Sequence, residues 1–82
     1  MIVAHRGASL ELPENTLEAF HSAFFKHQAD MIEFDVLLSQ YEIPVIIHDT
    51  SVNRTTNGKG KVLELTVRQL QKLDAGFRFK QL

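Results

Sequence analysis

Two imidazoles, a guanidinium and two closely spaced carboxylates fall at the ends of three short apolar runs. Val3-Ala4 leads into His5-Arg6-Gly7, Ile32 into Glu33-Phe34-Asp35, and Val45-Ile46-Ile47 into His48-Asp49. An arginine fork binds phosphate oxygens, paired carboxylates hold a hard cation, and imidazoles with an unperturbed pKa of about 6.5 exchange protons at neutral pH. If the runs are neighbouring parallel strands, their ends converge on a metal-assisted phosphate site. Each group also has a plainer reading. His5-Arg6 suits a solvated rim, and His48 suits a hydrogen-bonded structural residue. Glu33 and Asp35 share one face of a strand whose other face is Ile32, Phe34 and Val36. That acidic face either turns to water or needs a cation or an arginine between its charges.

The elements that must position these groups follow from local pattern. Gly7 and Pro13 bracket a loop after a short strand at residues 2–4. Asn15-Thr16-Leu17-Glu18 has the form of a capping box with Asn15 as N-cap, and Leu17, Phe20 and Phe24 recur at helical spacing. This predicts a helix over residues 16–28 with Phe20, Phe24 and Phe25 as its core-packing face and His21 and His27 on its surface. Alternation predicts a strand over 31–38, and Pro44 is tolerated as the first residue of a third strand ending at His48. Residues 53–61 read as a turn rather than an anion cradle, because Arg54-Thr55-Thr56-Asn57-Gly58-Lys59-Gly60 lacks the spacing of a phosphate-binding P-loop. Thr66-Val67-Arg68-Gln69 is a second capping box, opening a short helix that runs to about residue 73.

Composition narrows the function. The 82 residues are 44% hydrophobic, as in a soluble globular protein, and 9 basic against 10 acidic side chains give a net charge of −1. Such a balance argues against a general nucleic-acid binder. With no cysteine, a metal site would use oxygen and imidazole ligands. No segment approaches the roughly 18 apolar residues of a membrane span, and Met1-Ile2-Val3-Ala4-His5 leaves no room for a signal peptide. The expected location is cytoplasmic. The N-terminus reads as the start of a domain, whereas Phe77-Arg78-Phe79-Lys80-Gln81-Leu82 stops without a polar tail, as if cut.

Together the motifs resemble the glycerophosphodiester phosphodiesterase family. Ala4-His5-Arg6-Gly7-Ala8, Pro13-Glu14-Asn15-Thr16-Leu17-Glu18-Ala19-Phe20, Ile32-Glu33-Phe34-Asp35-Val36, Pro44-Val45-Ile46-Ile47-His48-Asp49, Arg54-Thr55-Thr56 with Gly58 and Gly60, and Leu73-Asp74-Ala75-Gly76 occur in family order. The resemblance implies an α/β fold, the N-terminal portion of a TIM-type (β/α)8 barrel, truncated, because such a barrel takes about 250 residues. Residues 1–82 would be a partial domain supplying its first strands and helices. It further implies His5 and His48 as the acid/base pair, Arg6 as the phosphate contact, and Glu33 and Asp35 as ligands of a divalent cation, Ca2+ or Mg2+. The expected reaction is hydrolysis of a small-molecule glycerophosphodiester to glycerol 3-phosphate and an alcohol, in lipid and glycerol metabolism.

Two departures stand out. The family's third carboxylate ligand and a downstream lysine have no counterpart in this sequence. Gln40-Tyr41-Glu42 stands where the family tends to carry an Asp-Gly turn, which predicts a longer or strained connection. Two rival functions remain open at the level of sequence. One is a non-catalytic remnant using its open sheet edge as an interaction surface. The other is a lyase-type phospholipase D acting on sphingolipid, with the same two-histidine idea.

Overall fold

The computed structural model describes residues 1–79, so the last three residues of the C-terminal run lie outside the described residues. In chain order the elements are β1 (Val3–His5), α1 (Leu17–Phe25), β2 (Met31–Glu33), β3 (Val36–Leu38), β4 (Pro44–Ile46) and α2 (Val67–Gln71), with short 3-10 turns at Gln40–Glu42 and Val62–Glu64.

The first half is a β-α-β unit. β1 and β2 are parallel, with Val3 opposite Met31, Ala4 opposite Ile32 and His5 opposite Glu33. Between them the chain turns at Gly7, whose φ is +80° and where an added Cβ would lie 2.8 Å from the backbone of Ala19. Glycine is required there both for its left-handed backbone and for the close approach of α1. The N-cap of α1 is Thr16, not Asn15. Thr16 has extended backbone and its hydroxyl accepts from the Ala19 N–H at 3.2 Å. Asn15 has a φ of 56°, which an N-cap does not adopt, and its side chain is thereby released for other work.

The buried side of α1 consists of Ala19 and Ala23. Small side chains there let the helix lie close to the strands. Phe20 meets Phe34 with ring centroids 5.9 Å apart, but Phe24 and Phe25 are exposed, Phe25 to 76%. The expected phenylalanine core face is thus corrected: Phe20 packs, Phe24 and Phe25 turn outward, and alanines line the buried side. α1 also ends earlier than its apolar spacing suggests. Gln28 turns left-handed (φ 53°) while the Ala29 N–H donates to the Ala23 carbonyl, which closes the helix end.

The second half differs in kind. Residues 31–38 are two strands rather than one, with Phe34 and Asp35 between them. β3 turns back into β4 as an antiparallel hairpin, pairing Val36 with Ile46 and Leu38 with Pro44. The third apolar run is therefore not a parallel neighbour of the second. Strain expected at the Gln40-Tyr41-Glu42 connection is present, for Tyr41 and Glu42 have φ values of 66° and 60°. The loop after β4 is closed by a bridge between Ser51 and Lys61 and packs on Val52 and Val62, each 1% exposed. α2 opens with the anticipated capping box between Thr66 and Gln69.

Strand faces remain open. Val3, Met31, Val36, Leu38 and Ile46 are each 45–51% exposed, so the larger core lies in the loops and under α1 rather than on the sheet.

Candidate active site

His5 ends β1 and Glu33 ends β2, and parallel register sets them side by side. Their side chains meet at 2.9 Å (Nε2 to Oε1) and are 57% and 60% exposed. Arg6 follows with a left-handed φ of 59°, its N–H donating to the Glu33 carbonyl at 2.6 Å. Left-handed backbone at a non-glycine residue costs about 1–2 kcal/mol, and here it turns the guanidinium inward. Arg6 Nη1 donates to Glu14 Oε2 at 3.3 Å, and Nε lies 3.3 Å from Asp35 Oδ2 but outside hydrogen-bond geometry. Arg6 Nε is buried with no hydrogen-bond partner among the described residues. A buried donor without a hydrogen bond costs about 1–3 kcal/mol, and the Asp35 charge beside it offsets part of that cost.

Asn15, freed from capping, donates its amide to Asp35 Oδ2 at 3.0 Å. This bond is the main reason that the Asp35 carboxyl sits below its ordinary pKa, opposed by partial burial and helped by the positive charges of His48, Arg6 and His5. Asp35 therefore marks the point where the two halves meet electrostatically.

From the other half comes His48, two residues beyond β4. It enters on a returning antiparallel hairpin, not at the end of a parallel strand. Its Nδ1 lies 2.7 Å from Asp49 Oδ1. Asp49 is gripped in turn by Arg54, whose Nε and Nη2 donate to its two oxygens at 2.7 and 3.1 Å. The Arg54 bonds, and next the His48 contact, pull the Asp49 carboxyl down to about 2, while Arg54 itself is raised. Arg54 also donates to both oxygens of Glu14 at 2.7 and 2.9 Å, which holds that carboxyl below its ordinary value too.

Four of the five sequence-predicted residues meet in pairs at the strand ends, His5 with Glu33 and Arg6 with Asp35, while His48 contacts Asp49 and connects to Arg6 through Arg54 and Glu14. Four further residues, Glu14, Asn15, Asp49 and Arg54, were not singled out as site members. Their sequence-level signal is that all four lie inside the quoted motif stretches, Glu14 and Asn15 before α1, Asp49 after His48 and Arg54 before Thr55-Thr56. The surface histidines are placed as expected, with His21 against Phe25 at 4.6 Å. His27, however, does have a partner: with Lys26 it holds Glu11, and these contacts lower the Glu11 carboxyl.

Glu33 and Asp35 offer the hard oxygen donors that calcium or magnesium takes. In donor chemistry they fit such an ion. In number they fall short of a full shell, for no three His, Cys, Asp or Glu side chains among the described residues form a metal-holding group. Two hollows flank the site. One of about 410 Å3 lies beside His5, Gly7, Leu10 and His27, and one of about 470 Å3 lies beside Glu14, Arg54 and Phe79. No described helix is long and apolar enough to cross a membrane.

This geometry can be set against known proteins. The structure superposes on the glycerophosphodiester phosphodiesterase of Agrobacterium tumefaciens str. C58 with a TM-score of 0.91 and 44% identity, over 95% of this chain and 33% of that one. It superposes on an Oleispira antarctica phosphodiesterase, solved in complex with the product sn-glycerol-3-phosphate, with a TM-score of 0.92 and 42% identity, over 99% and 32% of the two chains. A curated glycerophosphodiester phosphodiesterase of Caldanaerobacter subterraneus is 48% identical over 79 residues, which are 96% of this chain and 32% of the relative. The chain spans about a third of the length of these proteins and corresponds to the N-terminal portion of their TIM-type barrel. The sequence profile of the glycerophosphoryl diester phosphodiesterase family matches residues 5–82, and with these likenesses it settles the kinship: the chain belongs to that family.

Proposed function

We propose that these residues form the first part of a phosphodiesterase site that hydrolyses a glycerophosphodiester to glycerol 3-phosphate and an alcohol in the cytoplasm, in lipid and glycerol metabolism. The observation that carries this reading is the chain of short contacts at the strand ends: His5 Nε2 lies 2.9 Å from Glu33, Arg6 Nε lies 3.3 Å from Asp35, and His48 Nδ1 lies 2.7 Å from Asp49, which Arg54 ties to Glu14 beside Arg6. Arg6 binds a non-bridging phosphate oxygen through its guanidinium. As charge builds on those oxygens the same contact strengthens, so it favours the transition state over the ground state. One imidazole removes the proton from the attacking hydroxyl and the other gives a proton to the leaving alkoxide, each step contributing about 10²–10⁴-fold. Glu33 orients His5, and Asp49 orients His48. Glu33 and Asp35 would hold a divalent cation, Ca2+ or Mg2+, with further ligands from outside these residues, and the ion would neutralise charge on the phosphoryl group. The hollow beside His5 has room for the alcohol portion of the substrate.

The test joins residues 1–82 to the remaining barrel of the Caldanaerobacter relative. Glycerol 3-phosphate should be released from glycerophosphocholine with calcium or magnesium present. Calorimetry should show weaker cation binding in Glu33→Gln and Asp35→Asn, since each removes ligand charge at constant shape. No release by the joined protein, or unchanged cation affinity in both variants, would contradict the reading.

A second reading has its own observation. The half-exposed strand faces at Val3, Met31, Val36 and Ile46 suit a non-catalytic module that covers itself with another polypeptide. It predicts a joined protein that folds and stays inactive.

A further inference from the structure

Arg54 follows His48 in the segment between β4 and the Val62–Glu64 turn and is itself none of the acid/base, phosphate-binding or cation-binding groups, yet it is the most heavily bonded side chain of the site. Its fork makes four contacts, two with Glu14 at 2.7 and 2.9 Å and two with Asp49 at 2.7 and 3.1 Å. Each of its nitrogens is engaged. Arg6 is different, for its Nε has no hydrogen-bond partner among the described residues. Arg6 thus keeps a guanidinium that its neighbours do not saturate, whereas every nitrogen of Arg54 is committed to the protein.

The two carboxylates that Arg54 joins are not bystanders. Glu14 Oε2 also accepts from Arg6 at 3.3 Å, and Asp49 Oδ1 lies 2.7 Å from His48 Nδ1. A continuous path runs from Arg6 through Glu14, Arg54 and Asp49 to His48. It connects the β1–α1 loop to the end of the hairpin, across 40 residues of sequence. Exposed ion pairs add little to stability, and Arg54 and Asp49 are both partly open to solvent, so a purely stabilising role explains little of this arrangement. A planar bidentate fork does fix geometry, which a lysine ammonium does not.

We propose that Arg54 is a positioning residue for His48: by clamping Asp49 to Glu14 it sets where the His48 ring stands relative to Arg6. Asp49 accepts the proton of Nδ1 and so leaves Nε2 as the ring nitrogen that exchanges protons with substrate. Arg54 touches neither the substrate nor the reacting atoms. The proposal rests on the phosphodiesterase reading for its kinetic consequence only, since the effect on the His48 ring is independent of it.

Two measurements decide it. In the protein with residues 1–82 joined to the relative's barrel, Arg54→Ala should lower kcat about 100-fold, as a misplacement near 1 Å does, and leave KM within about 2-fold. Arg54→Lys should recover part of kcat, and free guanidinium added to Arg54→Ala should recover part as well. A higher KM at unchanged kcat would make Arg54 a substrate contact and overturn the proposal. Full recovery by lysine would show that charge alone matters and would overturn it too. In the 82-residue chain itself, the 15N shifts of the His48 ring should move in Arg54→Ala from one tautomer toward the average of two. Unchanged shifts would refute the clamp whether or not the joined protein is active, whereas a joined protein without glycerol 3-phosphate release, but with shifted His48 resonances, would contradict the phosphodiesterase reading alone.

Discussion

The β1–β2 half and the hairpin half aim their chemistry by different means. In the first, the backbone does it: His5 and Glu33 are register partners across a parallel ladder, and the Arg6 amide is bonded to the Glu33 carbonyl. In the second, His48 lies beyond the last ladder pair, and the Asp49–Arg54–Glu14 cluster holds it. A histidine placed by register is vulnerable to anything that shifts the backbone. One placed by ion pairs is vulnerable to pH and salt. The two catalytic imidazoles of one proposed reaction thus have separate weaknesses.

The largest effect should come from breaking the backbone side of this comparison. Gly7→Ala puts a Cβ against the Ala19 backbone at a left-handed φ, for a combined cost of about 3 kcal/mol. Amide hydrogen exchange at Arg6, Ala8 and Asn15 should accelerate on the order of 100-fold while Val52 and Val62 keep their protection. Equal acceleration in both halves would mean that they do not behave separately.

Acid should then separate the halves by the carboxyl each depends on. The Asp49 carboxyl is depressed in the folded chain from its ordinary 3.8 to about 2 by Arg54 and His48. Because the folded pKa is the lower one, this contribution to stability is fully present above the ordinary value. It is lost as pH falls from about 4 toward 2. Exchange at Val52 and Val62 should therefore rise as the solution is acidified through that window, and Asp49→Asn should remove that rise while leaving the response of the Arg6 amide, which follows the lowered carboxyls of Glu14 and Asp35.

The smallest effect concerns the hairpin turn. Tyr41 and Glu42 are both left-handed, and Glu42→Gly relieves one of those strains without touching the site. The gain should be about 0.5–1 kcal/mol, read as slower exchange of the Ser39 and Ile47 amides that close the hairpin. A loss of protection there would show that Glu42 is not strained.

These same contrasts explain what could be read from the residues. Short-range patterns placed both helices, and the strained connection at Gln40-Tyr41-Glu42 was legible because no residue there favours a positive φ. Of the motif residues, His5 lies against Glu33 and Arg6 against Asp35, and His48 reaches them only through Asp49, Arg54 and Glu14. Alternation over 31–38 could not reveal the break at Asp35, because a period of two is the same for one strand or for two, and for parallel or antiparallel partners. Asn15 and Thr16 are nearly equal N-cap formers, so only the fold decides that Thr16 caps and Asn15 goes to Asp35. Arg54 was legible as a motif residue but its role was not: Asp49 is 5 residues away and Glu14 40, and no local pattern encodes an ion pair at the larger separation.

The central claim is that His5 and His48, delivered by unlike supports, act as one acid/base pair. The direct test is turnover of glycerophosphocholine by His5→Ala, His48→Ala and the double variant in the joined protein, with His21→Ala as a control. Each single change should lower kcat by about 100-fold or more, and the double variant should be little worse than either, because groups acting as a unit are not additive. His21→Ala should be nearly silent. Small and equal losses at all three positions, or losses that simply multiply in the double variant, would contradict the pair.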